Sequence, residues 1–263
     1  MKIIALVENR SDCELKPRHG LSLYVETKNH KLLFDLGPDD TLFDNAKMRN
    51  IDLSDIDTVV ISHGHSDHGG ALARFLKENA KAKIYIQRRA FERHYSRFLF
   101  LKADIGLDRQ LKNHPQVILL DGDAEIDQEL SLFVVNRIEK CCSSANDSFY
   151  EGGQKDVFLH EQNLMIREEQ TAVLIGCGHI GVVNIMEKAQ SFAPQICVGG
   201  FHLFNPPTRK TADKRFLDEI AENLKKYPQV RFFTCHCTGK KAYDYLASKL
   251  PNLHYLSCGN VIE

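Results

Sequence analysis

Nothing in the 263 residues approaches the roughly 20 consecutive apolar positions of a membrane-spanning helix, so no membrane partner is expected. The opening run, residues 1–7, is short and is followed at once by Glu8 and Arg10. It lacks the longer apolar centre and small-residue cleavage site of a secretory signal, reads as a first strand, and points to a cytoplasmic protein. Net charge is also nearly absent, at −1, which removes the bulk attraction that nucleic acid or an anionic membrane exerts on a basic chain. The eight cysteines, at 13, 141, 142, 177, 197, 235, 237 and 258, form no regular disulfide framework and are expected as reduced thiols. No short-period repeat is evident, and no Pro- or Ser-rich linker divides the halves. What remains is 43% hydrophobic, enough for a sizeable core, and reads as one domain over residues 1–263.

What the chain does have is concentrated histidine. Ser62-His63-Gly64-His65-Ser66-Asp67-His68-Gly69-Gly70 follows the apolar run Thr58-Val59-Val60-Ile61. A strand ending in such a loop can aim His63 and His65 at one point, because alternate residues share a side. Asp67 and His68 then fall at the start of the next helix and face a neighbouring point. That set suits two adjacent cations of the zinc, manganese or iron type, which accept imidazole and carboxylate together.

Three more histidines stand just beyond short apolar strands: His179 after Val173-Leu174-Ile175-Gly176, His202 after Cys197-Val198-Gly199-Gly200, and His236 after Phe232-Phe233-Thr234. Any one alone reads as a satisfied loop or core residue. Three in the same position relative to a strand match the topology of the first cluster. Glycines beside each allow close backbone approach around a site. By contrast, Cys235 and Cys237 flank His236 and should point away from it, with packing as their role. Cys141-Cys142 is isolated, and His30, His94, His114 and His254 show no inferable partners.

Strands are expected at 3–7, 21–27, 31–34, 59–62 and 83–87, with a hairpin around Asn29-His30. Helices are expected at 42–50, 71–78 and 88–94. The second half repeats the theme, with strands at 131–137, 164–168, 171–176, 196–199, 231–235 and 253–256. Its helices are expected at 213–226, where Phe216, Leu217, Ile220 and Leu224 make one apolar stripe, and at 240–250. Two runs of strands, each followed by helices, suggest two sheets packed face to face with helices outside. Residues 96–113 read as a lid or a crossover, and the Ser-, Gly- and Asn-rich stretch 139–155 as an exposed loop.

At this point the chain resembles the metallo-β-lactamase superfamily, whose His-x-His-x-Asp-His signature is similar to His63, His65, Asp67 and His68. Phe34-Asp35-Leu36-Gly37 resembles the superfamily's first motif. Glu8-Asn9, His19-Gly20-Leu21-Ser22, Gly176-Cys177-Gly178-His179, Gly199-Gly200-Phe201-His202 and His236-Cys237-Thr238-Gly239 together resemble one subgroup. Its members are labelled 7,8-dihydropterin-6-methyl-4-(β-D-ribofuranosyl)-aminobenzene-5′-phosphate synthase or metal-dependent hydrolase. The resemblance implies an α+β four-layer αββα sandwich of two mixed β-sheets. It implies zinc (Zn2+) at two sites, the second occupied in part, with manganese or iron as alternatives. His63, His65 and His179 would hold the first cation, and Asp67, His68 and His236 the second. Asp35 would orient the histidine loop from behind. Where many members carry a bridging aspartate, this chain offers His202.

The chemistry implied is water ionised near neutral pH, with the electrophile's oxygen polarised. Asp67 is the candidate to steer the nucleophile, and His202 to contact a substrate oxygen or donate a proton. Thr238, Gly239 and Lys240 stand at a helix start that suits a phosphate or carboxylate, and His19 is a further pocket candidate. The favoured class is therefore a hydrolase or related transferase acting on a small-molecule phosphoester, ester or pterin-like substrate. A nuclease is disfavoured by near-neutral charge and the lack of an appended basic domain. A non-hydrolytic metal-binding or redox protein ranks lower still. Flavin-linked diiron relatives usually place a glutamate where His65 stands, and no flavin-binding domain follows.

Overall fold

In a computed structural model describing residues 1–98, 100–137 and 139–263, the opening apolar run forms strand β1 (Lys2–Val7). There follow β2 (Ser22–Glu26), β3 (Lys31–Phe34), α1 (Thr41–Met48), β4 (Thr58–Val60), α2 (Ser66–Gly69), α3 (Leu72–Glu78) and β5 (Lys83–Gln87). Next come β6 (His94–Phe98), β7 (Leu101–Asp104), β8 (Val117–Leu120), β9 (Ala124–Glu125), β10 (Leu130–Phe133), β11 (Phe149–Glu151) and β12 (Gln154–Lys155). The chain continues through β13 (Asn163–Arg167), β14 (Thr171–Ile175), α4 (Val182–Ala189), β15 (Ile196–Gly199), β16 (Phe204–Asn205) and β17 (Lys210–Thr211). It closes with α5 (Lys214–Leu224), β18 (Arg231–Thr234), α6 (Lys240–Ala247), β19 (Leu253–Tyr255) and β20 (Val261–Ile262). No helix among the described residues is long and apolar enough to cross a membrane.

Two seven-stranded sheets result, ordered β20-β1-β2-β3-β4-β5-β8 and β19-β18-β15-β14-β13-β10-β9. The period of two in each strand decides which layer a side chain joins. Ile3, Ala5, Leu32, Phe34 and Val60 meet Leu132, Leu164, Ala172, Leu174 and Val198 between the sheets. Ile4, Leu6, Leu33 and Val59 face outward against Leu42 and Phe43 of α1 and Phe75 of α3. Val173, Ile175 and Cys197 do the same against Ile185 of α4, Leu217 and Ile220 of α5 and Leu246 of α6. Slipping a strand by one residue would exchange these two apolar sets, so register and layering support each other. The result is the four-layer αββα sandwich that the resemblance implied.

Both sheets are mixed: β3, β4, β5 and β8 run parallel, as do β14, β15, β18 and β19. Loops leaving the carboxyl ends of parallel strands gather at one edge, the usual place for a ligand in such sheets. β4 leads into His63, β14 into His179, β15 into His202 and β18 into His236.

Three stretches depart from the expectations. Residues 88–94 form one 3-10 turn, Arg88–Phe91, and His94 already begins β6. Within 96–113 the chain makes the hairpin β6–β7 and a 3-10 turn, Arg109–Asn113; Leu99, part of that stretch, lies outside the described residues. Residues 139–155 are not simply exposed: Cys141, Ser143, Ala145, Asn146 and Ser148 are buried, and β11–β12 joins β6–β7 in a four-stranded sheet. Polar composition misleads here because these side chains bond to buried backbone rather than to water. α5 matches its expectation, with Asp213 accepting from Phe216 N as its cap.

Candidate metal centre

Asp35 follows β3 in a left-handed conformation, φ 62°, and is fully buried. Its Oδ1 accepts from Ser62 N at 2.7 Å, and its Oδ2 accepts from Ser62 Oγ at 2.7 Å and from His68 Nδ1 at 2.6 Å. Because the Ser62 hydroxyl gives its proton to Asp35, its oxygen accepts from His63 Nδ1 at 2.8 Å. One carboxylate thus places the proton of both His63 and His68 on Nδ1 and leaves each Nε2 as the inward-facing atom.

His179 and His236 are each held by an Asn–Glu pair. Asn146 donates its amide to His179 O at 2.8 Å and accepts from His179 Nδ1 at 2.9 Å. Glu161 accepts the N–H groups of His179 and Ile180 at 2.8 and 2.9 Å. For His236 the same parts are Asn9, at 3.3 Å to the carbonyl and 2.9 Å to Nδ1, and Glu8, which accepts His236 N at 2.7 Å. Phe158 stacks on the His179 ring with centroids 4.3 Å apart. Burial pushes Glu161 up to about 7 despite both backbone donors.

The inward atoms converge. Ligand nitrogens of His63, His65 and His179 lie within 4.8 Å of one another, and the Nε2 of each is buried without a hydrogen-bond partner. An unpaired buried polar atom costs about 1–3 kcal/mol, so three aimed at one point fit a cation. Burial, then the crowd of neighbouring imidazoles, holds all three well below the ordinary histidine pKa, which keeps their lone pairs free. Beside them, Asp67 Oδ2 lies 3.3 Å from His236 Nε2, 3.8 Å from His68 Nε2 and 3.4 Å from His19 Nε2. His68 Nε2 and His236 Nε2 are 3.3 Å apart. Burial opposes ionisation of Asp67, but His68 and His236 outweigh it and hold the carboxyl well below its usual range. Both three-residue halves of the expected ligand set are therefore gathered at one place, in the chemistry that zinc-type cations accept.

A cavity of about 230 Å³ opens onto this cluster, with His19, His65, Asp67, Phe149, His202 and His236 in its wall. His202 sits at φ 48°, its ring 4.1 Å from that of His179, and neither of its ring nitrogens has a partner. A hollow of about 700 Å³ near Met1, Lys28 and Glu168 lies away from the histidines. Thr238 is fully buried; its hydroxyl meets Thr234 Oγ1 at 2.6 Å and accepts from Phe201 N at 2.8 Å. Gly239 and Lys240 line a neighbouring hollow of about 320 Å³ with Arg10, Arg209 and Lys241.

Several residues escaped the sequence. Cys177 and Cys237 line the cavity, so Cys237 does not turn away from the site as strand geometry implied; the chain makes a 3-10 turn at His236–Thr238 instead. Cys235 does pack in the core between the sheets. His94 Nδ1 and His160 Nε2 both reach Asp156 Oδ2 at 3.1 Å, and Gly64 N donates to His160 Nδ1 at 3.0 Å. That network buttresses the loop between His63 and His65. His30 bridges Asp57 and Asp127 at 2.8 and 2.7 Å, far from the cavity wall. Glu8, Asn9, Cys177 and Cys237 stood within the motifs of the subgroup resemblance, whereas Asn146 and Asp156 carried no signal.

The described family model of the metallo-beta-lactamase superfamily matches residues 15–138. An uncharacterized protein of Methanocaldococcus jannaschii is 25% identical, the match covering 98% of each chain. A second protein of that organism, named 7,8-dihydropterin-6-methyl-4-(beta-D-ribofuranosyl)-aminobenzene-5'-phosphate synthase, is 25% identical over 94% of this chain and 90% of its own. The crystal structure of a metal-dependent hydrolase of the beta-lactamase superfamily aligns over 100% of this chain and 98% of that one, with a TM-score of 0.82 and 27% identity.

Proposed function

We propose, from the match of residues 15–138 to the metallo-β-lactamase superfamily and the likeness in fold over the whole chain, that this protein is a two-zinc hydrolase of small phosphoesters or esters. The observation that carries the reading is the convergence of unpartnered, buried Nε2 atoms from His63, His65 and His179. These three would hold one cation, and Asp67, His68 and His236 a second, more weakly held one. When bound, such cations ionise water near neutral pH and polarise an ester or phosphoester oxygen.

The chain's own groups do the rest. Asp67 Oδ2 faces the cavity between His19, His68 and His236, where it can accept a hydrogen bond from the attacking water and set its direction. His202, with both nitrogens free, can donate to a substrate oxygen and protonate the leaving group. Phe149, Pro206 and Pro207 supply an apolar wall that keeps bulk water from the reacting centre. The adjoining hollow shares His236 with the cavity and is lined by Arg10, Arg209, Lys240 and Lys241, which favours a substrate carrying an anionic tail. A phosphate-bearing, pterin-like small molecule combines these requirements. A nucleic-acid substrate is disfavoured by the net charge of −1.

Metal analysis of the purified protein, followed by a screen of small phosphodiesters, lactones and thioesters, tests the reading. Turnover should track metal content and fall roughly a hundredfold or more in His202→Ala with metal retained. Equal turnover by chelated and metal-loaded protein would refute it.

A further inference from the structure

The floor beneath both sets of histidines is sulfur. Cys177 is buried at 3% exposure. Its Sγ falls within 4.8 Å of ligand nitrogens of His63 and His68, of His179 and His202, and of His236 together with the Sγ of Cys237. It thus stands within reach of both halves of the ligand set. The placement is built in by the backbone: Gly176 packs so tightly on Ser62 that any side chain there would collide with Ser62 Oγ. The end of β14 is therefore pressed against the histidine loop. Other cysteines go elsewhere, Cys197 to the outer core of the second sheet and Cys235 to the core between the sheets.

The partners of this thiol are equally telling. Cys177 Sγ lies 3.2 Å from His68 Nε2, whose Nδ1 is already committed to Asp35. The sulfur therefore stands beside the one ring nitrogen of His68 that a cation would claim. Cys237 stands behind, its Sγ donating to Cys177 O at 3.4 Å. Charge gives a second reason. Neutral imidazoles bring no negative charge to a pair of dications, and Asp67 is the carboxylate facing their Nε2 atoms, with Asp35 one bond further out. Buried positive charge left uncompensated is costly, and the Cys177 thiol, on losing its proton, would add a second negative charge beside that of Asp67.

We infer that Cys177 supplies a thiolate ligand from between the two histidine sets, shared by the cations they hold. On binding, the S–H bond breaks, its proton leaves to solvent, and the sulfur electron pair forms the bond to metal. Thiolate favours zinc or cobalt over manganese, so Cys177 also makes the site selective among divalent ions. The inference rests on the proposal that the histidines hold metal, and the two can fail separately.

Cobalt(II)-loaded protein reads this directly. Wild type should show a near-ultraviolet sulfur-to-cobalt charge-transfer band, lost in Cys177→Ser and kept in Cys237→Ser. Cys177→Ser should retain its cobalt ligand-field bands and circular dichroism, while its affinity for the weaker-bound ion falls roughly tenfold or more. X-ray absorption at the zinc edge of unmodified protein supplies a variant-free check, with a sulfur scatterer expected. Binding of cobalt without a sulfur band, a band that survives Cys177→Ser, or a zinc shell without sulfur would each overturn the inference while leaving the histidine sites standing. Failure of wild type to bind cobalt or zinc would overturn the metal reading itself and this inference with it.

Discussion

Replacing Asp35 by asparagine should be felt at both histidine sets, through charge and hydrogen bonding rather than through the backbone. Asparagine tolerates the left-handed φ of 62°, so the chain has no conformational reason to misfold. Oδ2 of Asp35 accepts from Ser62 Oγ and His68 Nδ1, and an amide nitrogen there would face two donors. Turning the amide over moves the conflict to Ser62 N. In metal-free protein, burial disfavours a charged His68, yet Asp35 and then Asp67 outweigh it and raise the pKa from 6.5 to about 9. A folded pKa above the unfolded one gives stability that is complete below pH 6.5 and is lost as pH rises through about 9. The interval corresponds to about 3 kcal/mol. Urea denaturation of chelated protein across that range should therefore show a falling midpoint, and Asp35→Asn should flatten most of the fall. Zinc affinity in the variant should drop roughly tenfold to a hundredfold, because His68 no longer keeps its proton on Nδ1. A chelated wild type with a level midpoint, or a variant with the same slope, would refute the account of this pair.

Asn146→Ala should weaken metal binding roughly tenfold to a hundredfold by freeing the His179 ring, and Asn9→Ala should do so at the His236 side; isothermal titration with zinc measures both. Chelation should lower the Tm, and restoring free cation to about a hundred times its Kd should return about 2.7 kcal/mol, read by calorimetry. Leu164→Ala, in the core between the sheets, should cost about 2–5 kcal/mol in denaturant midpoint without changing zinc affinity, because that side chain packs between the sheets and is not in the cavity wall.

The main strands were legible because burial on both faces demands unbroken apolar runs, as in Thr171-Ala172-Val173-Leu174-Ile175, and polar residues mark where each run leaves the sheet. The stretch containing β6 and β7 was not. Arg88-Arg89-Ala90-Phe91 has the composition of a helix but no side-chain cap, and it stops after one 3-10 turn. β6 pairs with β11, far along the chain, and β7 is exposed throughout, so neither carries the alternation that marks a half-buried strand. Residues 139–155 failed for the opposite reason. Their polar side chains resemble those of a solvated loop, yet Ser143 donates to His202 O and Asn146 clasps His179.

In the candidate site the division follows distance along the chain. His63, His65, Asp67 and His68 are local to one loop, and His179, His202 and His236 repeat a single relation, histidine after strand, which a linear pattern can display. The groups that orient them cannot appear so. Glu161 and Asn146 reach His179 from separate loops, and Glu8 and Asn9 reach His236 from the other end of the chain. Yet both pairs do the same thing: a glutamate takes the histidine's backbone N–H, and an asparagine takes its carbonyl and its Nδ1–H. What the fold holds constant is therefore the inward Nε2, and the supplier of the clamp is free to vary. Cys177 was missed by the same logic, since nothing within its own strand marks it. Only the meeting of β14 with the histidine loop and with the turn after β18 sets its sulfur between the two groups of nitrogens.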